Sequence, residues 1–454
     1  MTAPATAHTD PFGAGRAPRP THQLAFGSIV HVNEKGGSFG GTEEYIALLA
    51  SRLARRGVRS HLVCGLVKGA VAADLSSVHI VEGLASRRPQ PDTGEELASV
   101  IARLDPDVIY LHNVFDPAAV SALSMLANRG PLLWYVHDHY LTCLSELRWR
   151  RDVGSCPHPL GQGCLVAIGQ GHCVLRYPEG SFGPDELRER RSLSHALSGA
   201  DAIVVVSEYM RSLVVDAQPH LAERIHLLPR PIRDLGPLRS RDRDQPAAPA
   251  VITFAGRITP EKGLAVVIEA LAAIPQSPPI ELRIAGPIEH NAYWSRCQQL
   301  QTAAMATNPR LTVTYLGHLD YSATDELLRQ SAIVTIPSQW PEPLGAVAIE
   351  AMSAGAAVIA SHIGGLDTAL IDHHNGLLID PPNVPAWSAA IESLLHNPER
   401  ARQLGAQAHR DVAGTTATDH LQALDRIIWQ AKPPRPPRMP DSTQRPPTTP
   451  GPPR

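Results

Sequence analysis

Short β-branched runs alternate with longer segments of helical period along almost the whole chain. This alternation narrows the fold more than any other feature, because it signals βα units and parallel sheets. In the first half the candidate strands are Leu24–Val32, Ser60–Cys64, Val108–His112, Leu132–Val136 and Ala202–Val206. Between the first two, Thr42 to Arg56 repeats at helical spacing, with Tyr45, Leu48, Leu49 and Leu53 as its apolar stripe and Gly57 placed to cap its end. From Arg230 to Ala250 the pattern lapses into Pro, Arg, Asp and Ala without periodicity, as a linker would. A second alternating set follows: Val251–Ala255, Ile280–Ala285, Leu311–Leu316, Ile333–Pro337, Ala357–Ser361 and Leu377–Ile379. The pattern predicts two doubly wound α/β domains of similar size, residues 22–230 and 251–417, with a linker at 231–250 and a last helix over 418–430. Ligands of such sheets bind beyond the carboxyl ends of the strands, so residues just after strands carry the functional expectation.

The two ends fall outside this pattern. Ten of the 42 prolines lie between Ala431 and Arg454 and four more within the first 21 residues, so 1–21 and 431–454 are expected to be disordered. Residues 22–430 carry 34 basic against 42 acidic side chains, a net −8 where the whole chain has −3. So acidic a body argues against general nucleic-acid binding, which needs a basic face to release counterions, and leaves room for a local basic pocket. No signal peptide is readable, and no apolar run approaches the roughly 18 residues of a membrane span. Six cysteines in 454 residues make no disulfide scaffold. A cytoplasmic protein is the expectation.

Three segments carry chemistry. The first, Gly36-Gly37-Ser38-Phe39-Gly40-Gly41-Thr42, follows the first strand and opens onto a helix, where glycines let backbone amides approach an anion and the helix dipole favours it. It lacks the Lys-Ser/Thr pair of a phosphate loop and the spacing of a dinucleotide fingerprint, so alone it reads equally as a β–α turn. The second, Phe254 to Gly263, sets Arg257 and Lys262 just past a strand, a planar fork and a point charge suited to a diphosphate. The third runs from Pro337 to Gly355. There Glu342 lies on the loop after a strand and Glu350 about a turn and a half into the next helix, with the amides near Leu344 and Gly345 between them. Carboxylates accept hydrogen bonds from hydroxyl pairs and helix-start amides bind phosphate, which together describe a sugar nucleotide.

In this order the three segments resemble glycosyltransferase family 4, whose two Rossmann-like domains with a cleft between them form the GT-B fold. The resemblance rests on the early double-glycine loop, on AGRITPEKG, and on PSQWPEPLGAVAIEAMSAGAAVIASHIGGLDTALIDHHNGLLI. It spans roughly residues 24 to 415 and is most specific from Val251 to Pro381. It implies a retaining, metal-independent hexosyltransferase with no cofactor and a nucleoside-diphosphate sugar as co-substrate, donor held mainly by the second domain and an unidentified acceptor by the first. Arg257 and Lys262 would then neutralise the diphosphate, Glu350 would hold the ribose and Glu342 the transferred sugar. Amides at Leu344 and Gly345 would meet the phosphates, with Gly36, Gly37, Gly40 and Gly41 closing from the other domain.

In the same resemblance His137, in WYVHDHY, is similar to the family histidine near the reacting sugar, without being a general base, and Ser207 also matches a family position. Cys143, Cys156, Cys164 and Cys173 lie within 31 residues, among His139, His158 and His172. They lack the Cys-x-x-Cys pair that a structural zinc knuckle normally presents, which weighs against zinc and for reduced thiols. Arg188, Arg190 and Arg191, with Arg52, Arg55, Arg56 and Arg59, form basic clusters on helix-like stretches. They read as a solvated salt-bridged face, or as a weak peripheral contact with the inner membrane face. The rival readings are a sugar-nucleotide epimerase and a catalytically silent nucleotide-sugar-binding scaffold. A phosphorylase would need a lysine for pyridoxal phosphate, and Lys262 is the only lysine of the second domain.

Overall fold

A computed structural model describes residues 24–431 apart from 38–39, 128, 177–181, 232–248, 275–276 and 414–416. The ends expected to be disordered and the expected linker lie almost wholly outside the described residues.

Two parallel sheets organise the chain. The first contains β1 (Ser28–Gly37), β2 (Arg59–Lys68), β3 (Ser77–Ile80), β4 (Val108–Leu111) and β5 (Leu132–Val136). A two-residue hairpin of β6 (Trp149–Arg150) and β7 (Gly154–Ser155) interrupts it before β8 (Ala202–Val205) and β9 (Ile225–Leu227). Its order is β3-β2-β1-β4-β5-β8-β9. The second sheet contains β10 (Ala250–Ala255), β11 (Ile280–Ala285), β12 (Leu311–Gly317), β13 (Ile333–Ile336), β14 (Ala357–Ser361) and β15 (Leu377–Ile379), in the order β12-β11-β10-β13-β14-β15. β5 and β8 are buried at every position, as strands covered by helices on both faces must be. Strand order reverses between β1 and β4 in one sheet and between β10 and β13 in the other, and the crevice at each reversal is where such sheets bind ligands.

The first strand departs from its expected bounds. Its start slips from Leu24 to Ser28, because Asp425 and Asp107 rather than a neighbouring strand take the amides of Ala25 (2.6 Å) and Gly27 (2.8 Å). It then runs on to Gly37, with Lys35, Gly36 and Gly37 registered against Leu66, Val67 and Lys68 of β2. The following helix, Gly41–Ala54, buries Tyr45, Ile46, Leu49, Ala50 and Leu53, while Leu48 is only partly covered. Gly57 ends it with φ +74°.

The last helix, Ala417–Ala431, packs on the first sheet rather than the second. Leu421, Leu424, Ile427 and Ile428 are buried in the core, and the helix meets β8. His420 joins the Tyr45 hydroxyl (3.0 Å) to the Pro229 carbonyl (3.0 Å). No described helix is long and apolar enough to cross a membrane.

Candidate functional site

The second sheet builds its site at the reversal between β10 and β13. After β10 the chain makes a short turn, Pro260–Lys262, and Gly263 follows with φ +74°. A Cβ on Gly263 would stand 1.9 Å from the Pro337 carbonyl oxygen, so only glycine lets this turn lie against the loop after β13. The Gln339 amide donates to Glu261 O (2.8 Å) and locks the two loops together. Lys262 Nζ consequently reaches Glu342 Oε1 at 2.6 Å. Ser338 Oγ (2.5 Å) and Trp340 Nε1 (3.1 Å) donate to the same oxygen, and the Lys262 ammonium lies 5.3 Å from the Trp340 ring centroid. Burial pushes the Glu342 carboxyl up, but the Lys262 charge and the three hydrogen bonds outweigh it and hold it below the usual glutamate range.

Arg257, on the same loop, turns elsewhere: it pairs with Glu289 (2.7 Å) and with Glu261 (3.2 Å). Leu344 is buried in the core, and Gly345 (φ +79°) precedes the helix Ala346–Ser353. A Cβ on Gly345 would come within 2.3 Å of Leu366 Cδ2. Glu350 lies half-buried in the second turn of that helix. Lys262 and Glu342 are therefore in contact, Glu350 is on the helix that continues the Glu342 loop, and Arg257, on the Lys262 loop, pairs with its own acids.

Three successive carbonyls of the loop are held from outside. His139 Nε2 donates to Pro341 O (2.8 Å), the Gly365 amide to Glu342 O (2.6 Å) and Ser207 Oγ to Pro343 O (2.5 Å). Gly364 and Gly365 permit the approach: a Cβ on either would lie 2.5 Å or less from the backbone of Glu342 or Pro343. His139 and Ser207 belong to the first sheet's loops, so that unit holds the loop after β13 in the second. Ser207 also caps the helix Glu208–Ala217 by accepting from the Met210 amide (3.1 Å). Sequence reasoning grouped His139 with the cysteines and did not single out Ser338 or Trp340; their hydroxyl, indole and imidazole groups acquire meaning only through partners distant in the fold.

The glycine cluster needs a correction. Gly36 and Gly37 are the end of β1, not a loop; Gly37 has φ +101°, and a Cβ there would sit 2.1 Å from Lys68 O. With Gly40 they line a cavity of about 500 Å3 whose far wall is His318 to Tyr321 of the second unit, and Lys262 and Glu342 are not among its lining residues. Gly41 starts the helix under the Arg230 guanidinium, whose Nη1 would lie 2.8 Å from a Cβ there. Arg230 also faces Glu44 (3.7 Å). It went unremarked in the sequence because it sits at the edge of the aperiodic linker.

His137 follows β5, half-buried, with Nε2 2.9 Å from His112 Nδ1. Burial, then the Arg230 charge, lower it to about 3, so it is a neutral ring at physiological pH. Its neighbour Asp138 turns away: its carboxylate accepts from the Tyr140 amide (3.0 Å) and from Arg176 (2.9 Å).

Cys143, Cys156, Cys164 and Cys173 line one small cavity of about 20 Å3 with His158, all four as free thiols. Among the described residues no three His, Cys, Asp or Glu side chains stand as a metal ion requires. Burial raises the Cys173 thiol to about 11 and pushes Cys164 up as well, which leaves both protonated at neutral pH. The basic cluster splits: Arg188 pairs outward with Asp185 (2.7 Å), whereas Arg190 turns inward to Glu146 (2.9 Å) and the Tyr140 carbonyl. Arg55, Arg56 and Arg59 are exposed.

Known proteins resemble this chain across both sheets. A family model described as "Glycosyltransferase Family 4" matches residues 39–234, and one described as "Glycosyl transferases group 1" matches residues 239–411. The D-inositol 3-phosphate glycosyltransferase of Rhodococcus erythropolis is 27% identical over 82% of this chain and 83% of its own. That of Rhodococcus opacus is 34% identical over 61% and 62%. Among solved structures, sucrose-phosphate synthase of Thermosynechococcus elongatus superposes with TM-score 0.64 at 20% identity, covering 89% of this chain and 98% of that one. Anabaena Alr3699/HepE, solved with UDP and glucose, gives 0.63 at 18% identity, covering 89% and 99%.

Proposed function

The chain belongs to glycosyltransferase family 4, and from that premise we propose that it moves a hexose from a nucleoside-diphosphate sugar to an acceptor hydroxyl with retention at the anomeric carbon and without a metal. The observation that carries this reading is the Lys262–Glu342 contact, assembled by Gly263 at the strand-order reversal and fixed by Ser338 and Trp340. Solved neighbours that contain UDP, or UDP-glucose, support the nucleotide-sugar class.

Without ligand, Lys262 and Arg257 are each neutralised by carboxylates. A donor diphosphate competes for both cations: Lys262 exchanges Glu342 for a phosphate oxygen, and Arg257 exchanges Glu289. The exchange frees the Glu342 carboxylate, still oriented by Ser338 and Trp340, to accept hydrogen bonds from sugar hydroxyls. Glu350 takes the ribose hydroxyls and the amides at Leu344 and Gly345 face the phosphates. As the glycosidic bond breaks, the two cations stabilise charge on the departing diphosphate, the part a divalent ion plays elsewhere. The leaving phosphate oxygen takes the acceptor proton on the same face, consistent with a His137 ring too hard to protonate for general acid–base work.

The test is a donor screen that reads released nucleoside diphosphate with and without acceptors. The names of the relatives make an inositol phosphate the first acceptor to try. Acceptor-dependent release with the sugar recovered on the acceptor supports transfer. Interconversion of the donor with no sugar on any acceptor would mean an epimerase instead, and an inverted anomeric linkage would refute the retaining mechanism.

A further inference from the structure

Three histidines from neighbouring strands of the first sheet form a hydrogen-bonded chain. His31 lies in β1, His112 just after β4 and His137 just after β5. His31 Nδ1 is 3.0 Å from His112 Nε2, and His112 Nδ1 is 2.9 Å from His137 Nε2. His31 and His112 are fully buried, and the Tyr45, Tyr110 and Tyr135 rings pack around the chain. A neutral imidazole has one N–H and one lone pair, so placing the proton on any ring fixes it on all three.

Only two arrangements are self-consistent. In one, His137 Nε2–H donates inward and the last N–H falls on His31 Nε2. In the other, His31 Nδ1–H donates to His112, His112 Nδ1–H donates to His137 Nε2, and His137 carries its proton on Nδ1. His31 Nε2 is buried and has no hydrogen-bond partner among the described residues, and buried orphan N–H groups are rarer than buried orphan acceptors. The nearby His139 behaves the same way: its Nε2 must bear the proton that meets Pro341 O, which leaves its buried Nδ1 as the unpartnered lone pair. We infer that His31 and His112 are positioning residues that hold His137 as the Nδ1–H tautomer, a neutral donor at the carboxyl edge of the sheet.

The chain does not charge. Burial lowers His31 and His137 to about 3 and holds His112 well below the usual histidine range, and the Arg230 guanidinium opposes an imidazolium at His137. His137 Nδ1 has no partner among the described residues. In a glycosyltransferase that N–H donates to an oxygen of the bound sugar or acceptor, so the pocket selects an acceptor lone pair at that point. This last consequence rests on the function proposed above; the tautomer does not.

The decisive measurement is a two-bond proton–nitrogen correlation spectrum of the full chain with ring-nitrogen-labelled histidine, His137 being identified by its loss in His137→Gln. A proton-bearing Nδ1 and a bare Nε2 on His137 are expected in the wild type, and His112→Val is expected to shift His137 toward the Nε2–H form that predominates in water. Nε2–H in the wild type, or a pattern unmoved by His112→Val, overturns the inference. If His112→Val does not fold, the wild-type spectrum decides alone: Nδ1–H on His137 supports the inference and Nε2–H overturns it. Because no turnover is read, a null result in the donor screen leaves this measurement intact.

Discussion

At the scale of single residues, the site is a set of charges waiting for a better partner. Under the proposed function, Lys262→Ala removes the cation that exchanges Glu342 for the diphosphate. Turnover in the nucleoside-diphosphate release assay should fall roughly 100-fold or more, with the fold intact by circular dichroism. Glu350→Ala should act mainly on donor affinity, read by calorimetric titration with the nucleoside diphosphate; near wild-type values in both variants would refute the assignment. The charges themselves were legible in the sequence, because Arg257, Lys262, Glu342 and Glu350 all fall just after strands or in the first helical turns. The supporting cast was not. Ser338 and Trp340 are ordinary residues until they converge on one carboxylate oxygen, and His112 matters only because β4 lies between β1 and β5.

At the scale of elements, the alternation of strand and helix was readable because parallel strands are apolar on both faces, as β5 and β8 show. What could not be read was pairing at the ends. β1 reaches Gly37 only because β2 offers Lys68, and the three-residue β9 exists only as an edge against β8. The Pro260–Lys262 turn yields the clearest prediction. Gly263→Ala puts a methyl group into the Pro337 carbonyl at a positive φ, so the turn must lift off the Glu342 loop. Stability in urea should drop by about 1–3 kcal/mol, and turnover should fall at least as far as in Lys262→Ala although every charged residue remains. A variant as active as wild type would show that the contact between the two loops is dispensable.

At the scale of the molecule, the last helix is part of the first unit's core. A chain ending before Ala417 loses the cover supplied by Leu421, Leu424, Ile427 and Ile428, each worth about 1.5–3 kcal/mol when fully buried. It should be insoluble or melt far below the full chain in a thermal scan. Buried neutral histidines add an acid limit. His31 and His137 are lowered from 6.5 to about 3, His139 and His420 to about 4, and His112 is lowered too. Below pH 6.5 the unfolded chain therefore binds more protons than the folded one, so stability is full above that pH and declines as pH falls towards 4. One unit below 6.5 costs about 1.4 kcal/mol per ring. Five rings then approach the ~5–15 kcal/mol of a whole domain, so urea midpoints should collapse between pH 6.5 and 5. A flat profile there would mean that these rings are solvated.

The grip of His139 and Ser207 on the Pro341 and Pro343 carbonyls also bears on modularity. With the donor held mainly by the second half, as proposed, swapping donor halves between related enzymes is attractive. In this protein the loop that carries Glu342 is held in part by the other half, so, under the function proposed above, a grafted donor half would keep its nucleotide preference yet lose sugar discrimination. Restoring it would require the host to supply an imidazole and a hydroxyl at those two places, which makes the pair a transplantable junction rather than a private contact.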